Sequence, residues 1–211
     1  MSMSNLWGKF FKKRLGPNKN PQTPEKKIRK RLFFALRPDE STRQELSAVL
    51  DLFPRQLSDN WTPTENLHIG LALAGGVEAK WLDDLKEAGA AVQAAEFELS
   101  LDRIAYWPHK RTLCLTPSSV PGELTRLVAD LGRNLDDVGF GVEKRPYRTY
   151  LTLAREAAYP PPDIHLERPI QWKATSFALL ESRPQGLGVA HSLVQAWPLA
   201  KPDGEPGTGG G

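Results

Sequence analysis

Apolar and polar positions along the middle of the chain change period repeatedly, predicting strands and helices in alternation. Leu32-Phe33-Phe34-Ala35-Leu36 is a short apolar run suited to a buried strand. Pro38-Asp39-Glu40-Ser41 then opens a helix reaching about Phe53, with acids in its first turn to suit the helix dipole. A strand is predicted over Leu67 to Ala74, closed by Gly75-Gly76, and a helix over Glu78 to Ala94 with Trp81, Leu82, Leu85 and Val92 as its apolar positions. Phe97 to Tyr106 and Arg111 to Thr116 read as strands joined around Trp107-Pro108. The segment from Pro121 to Val138 carries Leu124, Leu127, Val128, Leu131 and Leu135 at helical spacing. A strand over Thr149 to Arg155 follows, then two more near Ile170 to Ser182 and Gly188 to Trp197.

Two of these strands carry polar side chains in matching places. In Leu67-His68-Ile69-Gly70-Leu71-Ala72, period two puts His68 and Gly70 on one face and Ile69 and Leu71 on the other. In Thr149-Tyr150-Leu151-Thr152-Leu153-Ala154, Tyr150 and Thr152 share a face in the same way. Strand, helix and polar-faced strand occur twice. The predicted fold is therefore α+β, with two pseudo-symmetric lobes whose antiparallel sheets line a central cleft and whose helices lie outside. The polar positions of both strands would converge on that cleft.

Charge divides the chain more sharply than its net +3 suggests. Residues 1–31 hold ten Lys or Arg and one acid, leaving 18 of the 28 basic and 24 of the 25 acidic residues for the rest, a net of −6. The sequence pI of about 9.0 thus belongs to the beginning of the chain, and RNA binding by the body would need a local pocket. Three parts are expected: a basic, flexible arm over residues 1–30, a bilobal domain over 31–200, and a disordered Gly/Pro-rich tail over 201–211. Residues 5–15 mix apolar and basic side chains and could meet an anionic membrane or RNA phosphate; a plain solubilising tail is the alternative. The apolar stretch Leu6 to Phe11 is too short and too charged for a secretory signal, and no apolar run is long enough to cross a bilayer. Cys114 is the sole cysteine, which rules out an intramolecular disulfide and a cysteine-rich metal site. A cytoplasmic monomer is expected. There is no Walker loop, dinucleotide fingerprint, Gly-x-Ser-x-Gly elbow or His-Glu-x-x-His, and Gly186-Leu187-Gly188 reads as a turn.

The ordered motifs resemble the two-histidine phosphoesterase superfamily, and within it the RNA 2′,3′-cyclic phosphodiesterases, also called 2′-5′ RNA ligases. The similarity rests on Asn66-Leu67-His68-Ile69-Gly70-Leu71-Ala72-Leu73-Ala74-Gly75 and Arg145-Pro146-Tyr147-Arg148-Thr149-Tyr150-Leu151-Thr152-Leu153-Ala154-Arg155. Arg31 to Leu36, Trp61-Thr62-Pro63, Tyr106-Trp107-Pro108 and Ala196 to Leu199 extend it over about 170 residues in the family's order. That family carries two His-x-Thr-x motifs. The resemblance implies hydrolysis of RNA 2′,3′-cyclic phosphate ends, or a related cyclic nucleotide, to a 2′-phosphate, without metal or cofactor. One histidine serves as base and the other as acid, and imidazole suits both tasks near neutrality. The chain departs from the pattern where Gly70 replaces the first threonine, Tyr150 the second histidine, and Ala72 a frequent basic residue.

On this reading the catalytic set is His68, Tyr150 and Thr152, with Gly70, Arg148 and Arg155 at the substrate phosphate. Tyr150 would donate a hydrogen bond, since a phenol of reference pKa about 10 is a poor base. Arg148 ranks above Arg155, which period two places on the face of Leu151 and Leu153. His191 stands where the family often has tyrosine; an exchange with position 150 would supply a second imidazole if the two strands adjoin. His109 and His165 lie in loop-like segments rich in proline and charge. Two alternatives stay open. One is a catalytically degenerate relative that binds a phosphorylated nucleotide or RNA end without turnover. The other is an adaptor working through its basic N-terminal arm.

Overall fold

The computed structural model describes residues 29–141, 146–162, 164–186 and 188–201. The expected arm lies outside the described residues except for Arg29 and Lys30, and the expected tail except for Lys201.

Leu32, Phe34 and Leu36 point to one side of β1 (Arg29–Leu36) and are buried, while Phe33 faces the other side. The helix α1 (Glu40–Leu50) begins where Asp39 caps it, its carboxylate accepting the Thr42 N–H at 2.8 Å. A two-residue strand β2 (Asn60–Trp61) precedes β3 (Ile69–Glu78). After a 3-10 turn over Ala79–Trp81 comes α2 (Leu82–Ala90). Then follow β4 (Phe97–Trp107), β5 (Thr112–Thr116) and α3 (Gly122–Asp137). The chain closes with β6 (Leu151–Arg155), β7 (Ile164–Ala174), β8 (Ser176–Gln185) and β9 (Gly188–Pro198).

Among the described residues the strands form one antiparallel sheet in the order β7-β4-β5-β6-β3-β1-β8-β9, with β2 added to β6. The α+β fold with antiparallel strands is as expected, and the pattern adds that the two halves are continuous. They meet at a single pair, Ile69 with Leu151. Leu124, Leu127, Leu131 and Leu135 of α3, Leu46 of α1 and Leu85 of α2 join one core with the inward residues of both halves. The helices therefore all cover the same face of the sheet, and the polar positions of β3 and β6 are left for the other. Beyond β9, Ala200 pairs with Ala95, linking the segment after β9 to the one that leads into β4.

Three predicted elements differ from the structure. The strand predicted to end at Gly75-Gly76 runs through both to Glu78, because Gly75 (φ 83°) takes the left-handed conformation of a bulge between the pairs Leu32–Gly75 and Phe33–Leu73. The helix predicted from Glu78 starts only at Leu82 and stops at Ala90, which leaves Trp81 43% exposed. The single strand predicted near Ile170 to Ser182 is two, β7 on β4 and β8 on β1, divided at Thr175. A continuous β pattern carries no mark of a change of partner. His165 consequently sits on β7 opposite Arg103 and not in a loop.

Candidate functional site

His68 is the residue just before β3, delivered by a 3-10 turn over Thr64–Asn66. Its Nδ1 lies 2.6 Å from the carbonyl oxygen of Asn66. A carbonyl can only accept, so Nδ1 carries the hydrogen and the neutral ring presents an unprotonated Nε2. Burial lowers the imidazole's pKa below its ordinary 6.5; the Asn66 bond opposes that, and the charges of Arg155 and Arg37 add to it.

The side chain of buried Asn66 also clamps β9. Its amide donates to the carbonyl of Val189 at 2.7 Å and accepts the N–H of His191 at 3.0 Å, as a neighbouring strand would. This brings the His191 ring against His68, with centroids 5.1 Å apart and planes at 89°. Phe33 of β1 touches both, at 5.0 Å from His68 and 4.9 Å from His191. Burial, then the charges of His68 and Arg155, push the His191 imidazole down to about 4. Both rings are therefore neutral at pH 7.

The second motif lies across from the first. Continuing the antiparallel register by one residue from Ile69–Leu151 sets Thr152 opposite His68 and Tyr150 opposite Gly70. Tyr150 packs on Trp107 at the end of β4, with centroids 4.5 Å apart in an edge-to-face arrangement. Gly70 is exposed, and a Cβ placed on it would meet nothing within 4 Å. Its carbonyl accepts the Tyr147 hydroxyl at 3.1 Å, a direct link between the motifs. Thr152 pairs with Cys114 of β5, whose buried thiol is pushed up to about 12.

Arg148 and Arg155 are both exposed. Arg155, ranked second from periodicity, is the one whose charge reaches His68, His191 and the Cys114 thiol. The exchange considered for His191 and Tyr150 takes a different form: β9 does not adjoin β6, and His191 meets His68 from the β1 side. Sequence reasoning passed over Asn66, Phe33 and Arg37. Alternation along β1 was the available signal for the last two, since it sets Phe33 and Arg37 on the face opposite Leu32, Phe34 and Leu36.

Comparison with known proteins matches a family described as the 2′-5′ RNA ligase superfamily over residues 31–185. An RNA 2′,3′-cyclic phosphodiesterase of Archaeoglobus fulgidus is 27% identical over 155 residues, covering 72% of this chain and 86% of that protein. One from Escherichia coli is 26% identical over 176 residues, covering 81% and 97%. Among solved structures, E. coli LigT complexed with 3′-AMP superposes with a TM-score of 0.75 at 24% identity, covering 82% of this chain and 99% of that one.

Proposed function

We propose that this chain, which belongs to the 2′-5′ RNA ligase superfamily, hydrolyses RNA 2′,3′-cyclic phosphate ends with His68 as its acid–base group. The observation that carries the reading is the tautomer of His68. Its Nδ1–H is engaged by the Asn66 carbonyl at 2.6 Å, and its lowered pKa keeps Nε2 free to accept a proton at neutral pH. In the proposed step Nε2 takes a proton from water while the water oxygen bonds to phosphorus. The phosphorus–O3′ bond breaks, and the 3′-oxygen leaves as a hydroxyl after receiving a proton. The family relatives named for this activity and a nucleotide-bound structural neighbour support the substrate class.

The phosphate oxygens fall to the Thr152 hydroxyl and to the guanidiniums of Arg155 and Arg148. Gly70 offers no hydroxyl. On this reading Tyr150 is the donor to the leaving oxygen, since a phenol can supply a hydrogen bond without being a base. His191 is a poor proton source: with a pKa of about 4, only about one ring in a thousand is protonated at pH 7. The proton for the leaving group therefore comes from Tyr150 or from solvent, and turnover below that of a two-histidine site follows.

The test is hydrolysis of a nucleoside 2′,3′-cyclic phosphate and of a short RNA with that end. His68→Ala should lower the rate by about a hundred- to ten-thousand-fold, the usual worth of a general acid–base group. Unchanged turnover in His68→Ala would sink the mechanism. Placement of the second imidazole beside His68, not across the cleft from it, favours one further reading, binding of the RNA end without turnover. That reading expects an inert native chain and activity only in the double variant Gly70→Thr with Tyr150→His.

A further inference from the structure

Next to His68, at the end of β1, the fold holds a cavity lined by residues that follow β1 and by residues of α1, β7, β8 and β9. Leu36 of β1 pairs with Ile69 of β3, so the next residue, Arg37, lies at the strand end beside His68. Its positive charge acts on the imidazole. Arg37 also lines a cavity of about 230 Å³ between the end of β1, the start of β8 and the end of β9.

Arg43 and Lys173 share that wall, and Asp39 is its one acid. The Asp39 carboxylate is already spent, accepting the Thr42 N–H at 2.8 Å and the Ser41 hydroxyl at 3.0 Å. Arg43 is held by Glu40 at 2.8 Å and Lys173 by Glu96 at 3.2 Å, which fixes two cations at the rim. Arg37, exposed, has no ion-pair partner among the described residues. The apolar part of the wall includes Pro38, buried Phe177 and Ala178, Ala196, and Leu193, which is 53% exposed. Arg37 is therefore the cation of this wall whose charge no carboxylate among the described residues offsets, and it stands beside an apolar surface in a body of net −6.

We infer that this cavity is the subsite for the nucleotide preceding the cyclic phosphate, so that the preferred substrate is an RNA strand and not a mononucleotide. Arg37 takes the phosphodiester that joins that nucleotide to the terminal one. Arg43 and Lys173, each held by its own carboxylate, border the path of the strand as hydrogen-bond donors, and the base rests on exposed Leu193. Single-stranded RNA is commonly held by cations along its backbone, with the bases against side chains of the groove. The inference rests on the reading of the His68 site as the place of the terminal phosphate.

Binding of two inert products tests it separately from catalysis: adenosine 2′-phosphate, and an RNA trinucleotide ending in a 2′-phosphate. Affinities are measured calorimetrically on the full chain between about 50 and 200 mM salt, where phosphate contacts are most visible. The trinucleotide should bind about tenfold more tightly or better. Its log-log salt dependence should be steeper by about 0.7 for each extra phosphate held. Arg37→Ala and Lys173→Ala, both at exposed side chains, should each cut the trinucleotide-to-mononucleotide ratio by about threefold or more. A native ratio near one with the mononucleotide still bound overturns the subsite and leaves the His68 reading standing. A native preference untouched by both variants overturns the assignment to this cavity. Failure of both ligands to bind overturns the subsite together with the reading beneath it.

Discussion

Replacing His191 by phenylalanine should remove a specific acid sensitivity of the fold. The phenyl ring keeps the edge contacts with His68 and Phe33 but cannot take a proton. In the unfolded chain a histidine titrates at its ordinary 6.5, whereas in the fold His191 titrates at about 4. Between those values the unfolded state binds more protons, so stability is complete above about pH 6.5 and falls as the pH drops toward 4. Moving an imidazole that far corresponds to at most about 3 kcal/mol, of which about 2 is lost by pH 5. Because the ring is only half-buried, solvent screening reduces this to about 1 kcal/mol. With a urea m-value of about 2 kcal/mol/M, the native midpoint should drop by about 0.5 M more than that of His191→Phe between pH 7 and 5. His68 shifts in the same direction and is present in both proteins, so it cancels. The depressed carboxyls of Asp39 and Glu181 start from 3.8 and 4.5 and act mainly below this range. Parallel falls of the two midpoints would refute the claim that burial beside His68 keeps His191 neutral.

Three further outcomes can be checked on the same preparation. Gly89→Ala should destabilise by about 1–3 kcal/mol in urea despite alanine's better helix propensity, because the new Cβ would lie 2.7 Å from the Trp197 ring; a gain in stability would contradict that packing. Asn66→Ala leaves the His191 N–H and the Val189 carbonyl without the amide that joins them and should cost about 2 kcal/mol; a loss under about 0.5 kcal/mol would mean that β9 is held by other contacts. Cys114, buried with its thiol pushed up to about 12, should resist a disulfide reagent at pH 8 until the chain is unfolded. Stoichiometric labelling of the folded protein would show that its strand is open to solvent.

How much of this was legible beforehand differs from element to element. The α3 stripe from Leu124 to Leu135 and the Asp39 cap were plain, because helical period and capping chemistry are local properties of a few residues. His68, Thr152, Gly70 and Tyr150 could be singled out because period two on two short strands is equally local. The division of β7 from β8 at Thr175 was not legible, since partner choice is settled by which edge of the sheet is free and not by the alternating pattern itself. Nor was the bulge at Gly75: a glycine pair ends a strand or bends it, depending on what the facing strand requires.

The site shows the same boundary more sharply. Sequence by itself determined which side chains leave the core and that His68, Thr152, Arg148 and Arg155 lie within two matching motifs. Only the tertiary structure decided that Asn66 would fix the His68 tautomer while gripping β9, and that His191, 123 residues downstream of His68, would rest against its ring. It also decided that the charge of Arg155 reaches both imidazoles. The physical reason is that periodicity assigns a side chain to a face, whereas hydrogen-bond partners and buried charge depend on which strands the sheet sets beside one another. A residue's chemistry is written locally; its pKa, tautomer and neighbours are set by parts of the chain far from it in sequence.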